Sequence, residues 1–80
     1  MIVLTVFSRP ECHLCDEMMA ELVPLVAGRA RIEVIDITED ANLVKRYALK
    51  IPVLQHGDKE LSRYRLDHER VAQLLALESA

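Results

Sequence analysis

Residues Ile2 to Phe7 read Ile-Val-Leu-Thr-Val-Phe, an unbroken run with a single hydroxyl and no charge. A β-branched run of this kind is a strand buried on both faces. It requires apolar cover above and below, which makes the fold a layered one. Ser8-Arg9-Pro10-Glu11 breaks the run. From Cys12 the apolar period becomes helical: Leu14, Met18, Leu22 and Val26 recur at every fourth position, and Cys15, Met19 and Val23 form a neighbouring stripe. Pro24 cannot donate to the carbonyl of Ala20, so a kink or an early end is expected there. Gly28 is the expected stop.

Arg31 to Ile37 reads as a second strand. Thr38 or Asp40 is placed to cap a short helix in which Leu43, Val44 and Tyr47 face inward, with Lys45 and Arg46 outward. Ile51 to Gln55 reads as a third strand that starts at a proline. His56-Gly57-Asp58-Lys59 is a turn. Glu60 to Leu66, with Leu61, Tyr64 and Leu66 apolar, reads as a fourth strand. Asp67 is an N-cap for a last helix with Val71, Leu74 and Leu75 on one face. The order is β-α-β-α-β-β-α. The first β-α-β unit implies parallel pairing and the closing hairpin antiparallel pairing. The expected sheet is four-stranded and mixed, in order 2-1-3-4 with strand 3 antiparallel to strand 1, and helices cover both faces.

The 80 residues allow one domain, 1–80. Apolar residues make up 51% and charged residues 29%, a globular rather than a disordered balance. Phe7, Tyr47 and Tyr64 are the whole aromatic complement, so the core must be aliphatic. The net charge of −3 argues against a nucleic-acid partner, and no apolar run is long enough for a membrane span. The first residues lack a basic region and a small-residue cleavage site. A cytoplasmic monomer is the expectation, and in that compartment a cysteine pair is rarely a structural staple.

Cys12-His13-Leu14-Cys15 sits where the first strand gives way to the first helix. A helix N-terminus carries unpaired N–H groups and about half a positive charge, which favours a thiolate. The i, i+3 spacing brings two sulfurs together. Cys12, at the cap, is expected to be the more exposed and to be the nucleophile; Cys15, half-buried in the first turn, is expected to resolve. Arg9 adds positive potential and His13 is a candidate for tuning the thiol. Glu11, Asp16 and Glu17 oppose, but solvated charges are screened within about 10 Å at 0.1 M salt.

The alternative is a metal-binding or metallochaperone-like module using Cys12, Cys15 and His13. Structural zinc takes four ligands, whereas there is no second such pair, and His13, His56 and His68 lack ligand spacing; no metal is expected. A third reading is a thiol-inert scaffold that presents Lys59, Arg63 and Arg65.

The strand–CxxC–helix order followed by Ile51-Pro52 resembles the thioredoxin superfamily. The length resembles glutaredoxins, and more narrowly the small bacterial glutaredoxin-like proteins. That resemblance implies a cis Pro52 lying against the cysteine pair, with the backbone of Ile51 offered to an extended substrate. It implies roles for Arg9 and Asp67 in binding glutathione, a candidate co-substrate; no tightly bound cofactor is expected. Its partners would be protein or small-molecule disulfides, with glutathione or a reductase to restore the dithiol. The chain departs from glutaredoxins in having His13-Leu14 between the cysteines and Tyr64-Arg65-Leu66 in place of a Gly-Gly pair. It departs from thioredoxins in having Val6 for a buried Asp and Glu11 for a Trp.

Overall fold

The computed structural model describes residues 2–79. The first strand, β1 (Ile2–Ser8), is central. It pairs in parallel with β2 (Ala30–Asp36), Leu4 opposite Ile32 and Val6 opposite Val34. On its other side it pairs antiparallel with β3 (Val53–His56), Phe7 opposite Val53 and Val6 opposite Leu54. β3 continues antiparallel into β4 (Lys59–Arg63) with an irregularity between Leu54 and Gln55. The sheet order is the expected β2-β1-β3-β4.

Alternation along β1 divides the core. Ile2, Leu4 and Val6 point to one face, where they meet Met18, Leu22 and Val26 of α1 (His13–Val26) and Val71 and Leu75 of α3 (His68–Ser79). Phe7 points to the other face, toward Ile37, Val53 and Tyr47 of α2 (Ala41–Tyr47). There the Phe7 and Tyr47 rings stack with centroids 4.2 Å apart, and the Arg46 guanidinium lies 5.4 Å from the Tyr47 ring centre. Helices thus cover both faces, as the two-sided burial of β1 requires.

The elements differ from their sequence-based bounds in ways that have local causes. α1 passes through Pro24 instead of ending there and caps at Ala27. Pro24 lies in the last turn, so it removes one helical bond and only Leu25 and Val26 follow it. Gly28, at φ +74°, then turns the chain. β2 stops at Asp36, because the Asp36 carboxylate accepts from the Thr38 N–H at 2.9 Å and its hydroxyl at 2.6 Å. That competition converts Ile37–Glu39 into a single 3₁₀ turn. Asp40, rather than Thr38, caps α2 by accepting from the Asn42 N–H at 2.8 Å. Val44 faces out, 38% exposed, while Leu43 and Tyr47 face in.

β3 begins at Val53 rather than Ile51, which leaves buried Ile51 and Pro52 outside the ladder. β4 ends at Arg63, not Leu66, because Tyr64 turns left-handed at φ +68°. Leu66 packs on the α1/α3 cluster from the loop. Asp67 caps α3 as expected, accepting from the Arg70 N–H at 3.0 Å. No helix among the described residues is long and apolar enough to cross a membrane.

Leu54 is fully buried on β3 and Val34 is 54% exposed on the edge strand β2. Leu54→Ala is expected to cost about 2–5 kcal/mol in urea unfolding, and Val34→Thr less than about 0.5 kcal/mol. Similar costs for the two would contradict the assigned sheet order.

Candidate active site

β1 ends at Ser8 and the chain turns through Arg9-Pro10-Glu11 into α1. Glu11 adopts φ +58°, a left-handed kink that hands the backbone to Cys12. Cys12 is the extended N-cap of α1. Its carbonyl accepts from the Asp16 N–H at 3.1 Å, and its sulfur accepts from the Cys15 N–H at 3.2 Å. Cys12 and Cys15 are joined in a disulfide, with Cα atoms 5.2 Å apart. The burial of the pair is more asymmetric than expected. Cys12 is half-exposed, whereas Cys15 is 3% exposed. The reason is that Cys15 enters the Phe7, Ile37, Tyr47, Ile51 and Val53 cluster, against which Cys12 packs only partly.

The second side of the site comes from the segment before β3. The Ile51–Pro52 peptide bond is cis, and both residues are buried. A cleft of about 320 Å³ runs beside Cys12, lined by Arg9, Glu11, His13, Leu14, Ala48, Leu49, Ile51 and Tyr64. Of the residues singled out in the sequence, Cys12, Ile51, Arg9 and His13 therefore meet in one place. The His13 imidazole is 90% exposed, with Nε2 3.7 Å from a Glu17 carboxylate oxygen. Glu11, Asp16 and Glu17 are all exposed, as anticipated.

Asp67 lies elsewhere. Its carboxylate is engaged in capping α3, and it lines a separate cavity with Glu21, Arg65, Leu66 and His68. Across that cavity His68 Nε2 stands 3.1 Å from Glu21, tying α3 to α1. The basic strip on β4 is partly neutralised. Arg63 donates twice to Glu60, at 3.1 Å each. Those bonds, and then the carboxylate's charge, push the guanidinium up from its ordinary value. No group of three or more His, Cys, Asp or Glu among the described residues is arranged to hold a metal ion.

Sequence reasoning missed Tyr64 and Leu49. Tyr64 donates its backbone N–H to the Pro52 carbonyl and its hydroxyl to the Leu49 carbonyl, both at 2.8 Å. The available signal was the broken alternation at Ser62-Arg63-Tyr64, which a continuous strand would not show.

The family model for a glutaredoxin-like domain (DUF836) matches residues 3–76. No curated protein matches the chain. Among solved structures, the solution structure of XcR50 from X. campestris is 33% identical, covering 100% of this chain and 96% of that one with a TM-score of 0.71. The germline-specific thioredoxin Deadhead from Drosophila melanogaster shares the fold at 20% identity, covering 95% and 79% with a TM-score of 0.54. The holo form of glutaredoxin C1 from Populus tremula x tremuloides does so at 16%, covering 96% and 85% with a TM-score of 0.51.

The difference in burial between the two sulfurs has a direct chemical readout. In the reduced protein, limiting iodoacetamide is expected to label Cys12 well ahead of Cys15, as scored by peptide mapping. Equal labelling would contradict the assigned asymmetry.

Proposed function

The chain belongs to the glutaredoxin-like domain family, and we propose that it works as a thiol–disulfide oxidoreductase with Cys12 as nucleophile and Cys15 as resolving thiol. The observation that carries this reading is the Cys12–Cys15 disulfide at the first turn of α1, with one sulfur facing a cleft and the other buried.

In the dithiol form, the Cys12 thiolate attacks one sulfur of a substrate disulfide. A bond forms to Cys12, the substrate S–S bond breaks, and the departing sulfur leaves with the electron pair and takes a proton. Cys15 then attacks the Cys12 sulfur and gives its proton to solvent. The second substrate thiol departs, and the protein pair becomes the disulfide. Two electrons and two protons pass to the substrate, and an external thiol or a reductase returns them to the protein.

The Cys15 N–H is aimed at the Cys12 sulfur at 3.2 Å. Together with the other unpaired N–H groups of the first turn, it favours negative charge on that atom. Ile51 precedes the first laddered residue of β3 and lines the cleft. In this reading its backbone pairs with an extended substrate segment. Arg9, exposed in the same cleft, suits a carboxylate such as either of glutathione's. The other residue of the expected glutathione set, Asp67, supports such a linkage less directly because it is held at the α3 cap. In this reading the protein is a cytoplasmic monomer that needs no tightly bound cofactor and acts on protein or small-molecule disulfides.

Turnover of a disulfide substrate with dithiothreitol as reductant is the test. Cys12→Ser is expected to fall to the uncatalysed background. Cys15→Ser is expected to accumulate a substrate adduct on Cys12, visible as added mass and released by excess thiol. Parent-like turnover by Cys12→Ser would remove the proposal.

A further inference from the structure

We propose that Tyr64 is a specificity-determining wall of the Cys12 cleft, and that it selects extended peptide disulfides whose cysteine is flanked by a bulky apolar residue. This rests on the thiol–disulfide reading above. The proposal starts from a conformational anomaly. Tyr64 holds φ +68°, a region that side chains other than Asn, Asp and Gly seldom occupy. That kink stops β4 and turns an aromatic ring into the cleft instead of along the sheet. Tyr64 is then fixed twice, by its backbone N–H to the Pro52 carbonyl and by its ring hydroxyl to the Leu49 carbonyl. Both acceptors belong to the segment that carries Ile51.

Leu49 is 90% exposed and Tyr64 44% exposed. Neither belongs to either buried core cluster. With Leu14 and Ile51 they supply the apolar part of the rim of the Cys12 cleft, whose polar part is Arg9, Glu11 and His13. In the thiol–disulfide reading an occupant of this cleft brings a disulfide sulfur to Cys12, and Ile51, outside the ladder, lines the same cleft. An apolar side chain beside the attacked cysteine then falls on the rim and releases its water. In glutathione the cysteine is flanked by a γ-glutamyl link and a glycine, so the rim has no apolar side chain to receive.

Two synthetic peptides differing only in Leu or Gly beside a cysteine, each as a mixed disulfide with a small thiol, test this with dithiothreitol as reductant. The parent is expected to favour the Leu peptide by about tenfold in kcat/KM, the lower end of what one apolar contact discriminates. Tyr64→Ala should bring the ratio toward one, and Tyr64→Phe, which keeps the ring, should preserve it. Leu49→Ser, at a position too exposed to disturb folding, should lower the ratio as well. Equal use of both peptides by the parent overturns the proposal. So does a Tyr64→Ala variant that slows both peptides alike, since a merely structural clasp would do that. Failure of the parent to reduce either peptide would instead overturn the oxidoreductase reading, and the proposal with it.

Discussion

Everything in this molecule hangs on the two-sided burial of β1. A strand with Leu4 and Val6 facing one layer and Phe7 facing the other cannot sit at an edge. It must have neighbours on both sides, and β2 and β3 supply them in opposite senses. The parallel neighbour requires a crossover, and α1 is that crossover. The C-terminal end of a central strand and the N-terminal end of its following helix are therefore brought together by topology alone. Sites gather at this place in open α/β sheets for that reason. The cysteine pair occupies it because its first member is the cap residue.

The cap explains how one helical turn gives two chemically different sulfurs. Cys12 is extended and outside the helix, so its sulfur turns back to face the N–H of Cys15. Cys15 is inside the helix on the same stripe as Met18, Leu22 and Val26, and that stripe is buried. At its end of α1 the stripe reaches past the sheet's rim to the Phe7, Tyr47 and Ile51 cluster. A spacing of three residues places the sulfurs within bonding reach, and the inward stripe seals the second one. The same spacing on a solvent-facing stripe would leave both sulfurs equally open.

Most of the architecture was legible from periodicity. The β1 run, the Met18, Leu22 and Val26 stripe of α1 and the Asp40 and Asp67 caps are local signals that agree with the tertiary packing, whereas Cys15 joins that stripe and Val23 of its expected neighbour is 50% exposed. What was not legible came from single-residue backbone choices. Asp36 spends its carboxylate on the Thr38 backbone, and no hydropathy pattern records that competition. Tyr64 looks like a strand residue by composition, yet its hydroxyl finds the Leu49 carbonyl fifteen positions away. Such a contact exists only after the chain has folded, so the apolar rim could not be read from the residues around it, whereas the broken alternation at Ser62-Arg63-Tyr64 did mark the early end of β4. For the site, the cysteines, Arg9 and His13 were singled out from motif and position and Ile51 from the resemblance, and Cys12, Arg9, His13 and Ile51 line one cleft. The separation of Asp67 from them depends on where α3 starts in space.

The charges around the cleft act at two different ranges. At the sulfur, the decisive partner is the backbone donor at 3.2 Å, which is too close for mobile ions to intervene. Glu11, Asp16 and Glu17 are solvent-exposed, and salt screens such charges over about 10 Å at 0.1 M. In the proposed reading they therefore act weakly on a Cys12 thiolate, while still shaping the field met by a substrate at low ionic strength. Arg9 stands against them within the same cleft. Helix-end stabilisation of an anion is worth only about 0.3–1 kcal/mol when exposed and more when partly buried. In the proposed reading, the half-burial of Cys12 keeps its sulfur beside the Cys15 N–H while leaving it open to a substrate. Full burial among the apolar side chains of that cluster would disfavour an anion by desolvation and would also close the sulfur to substrate.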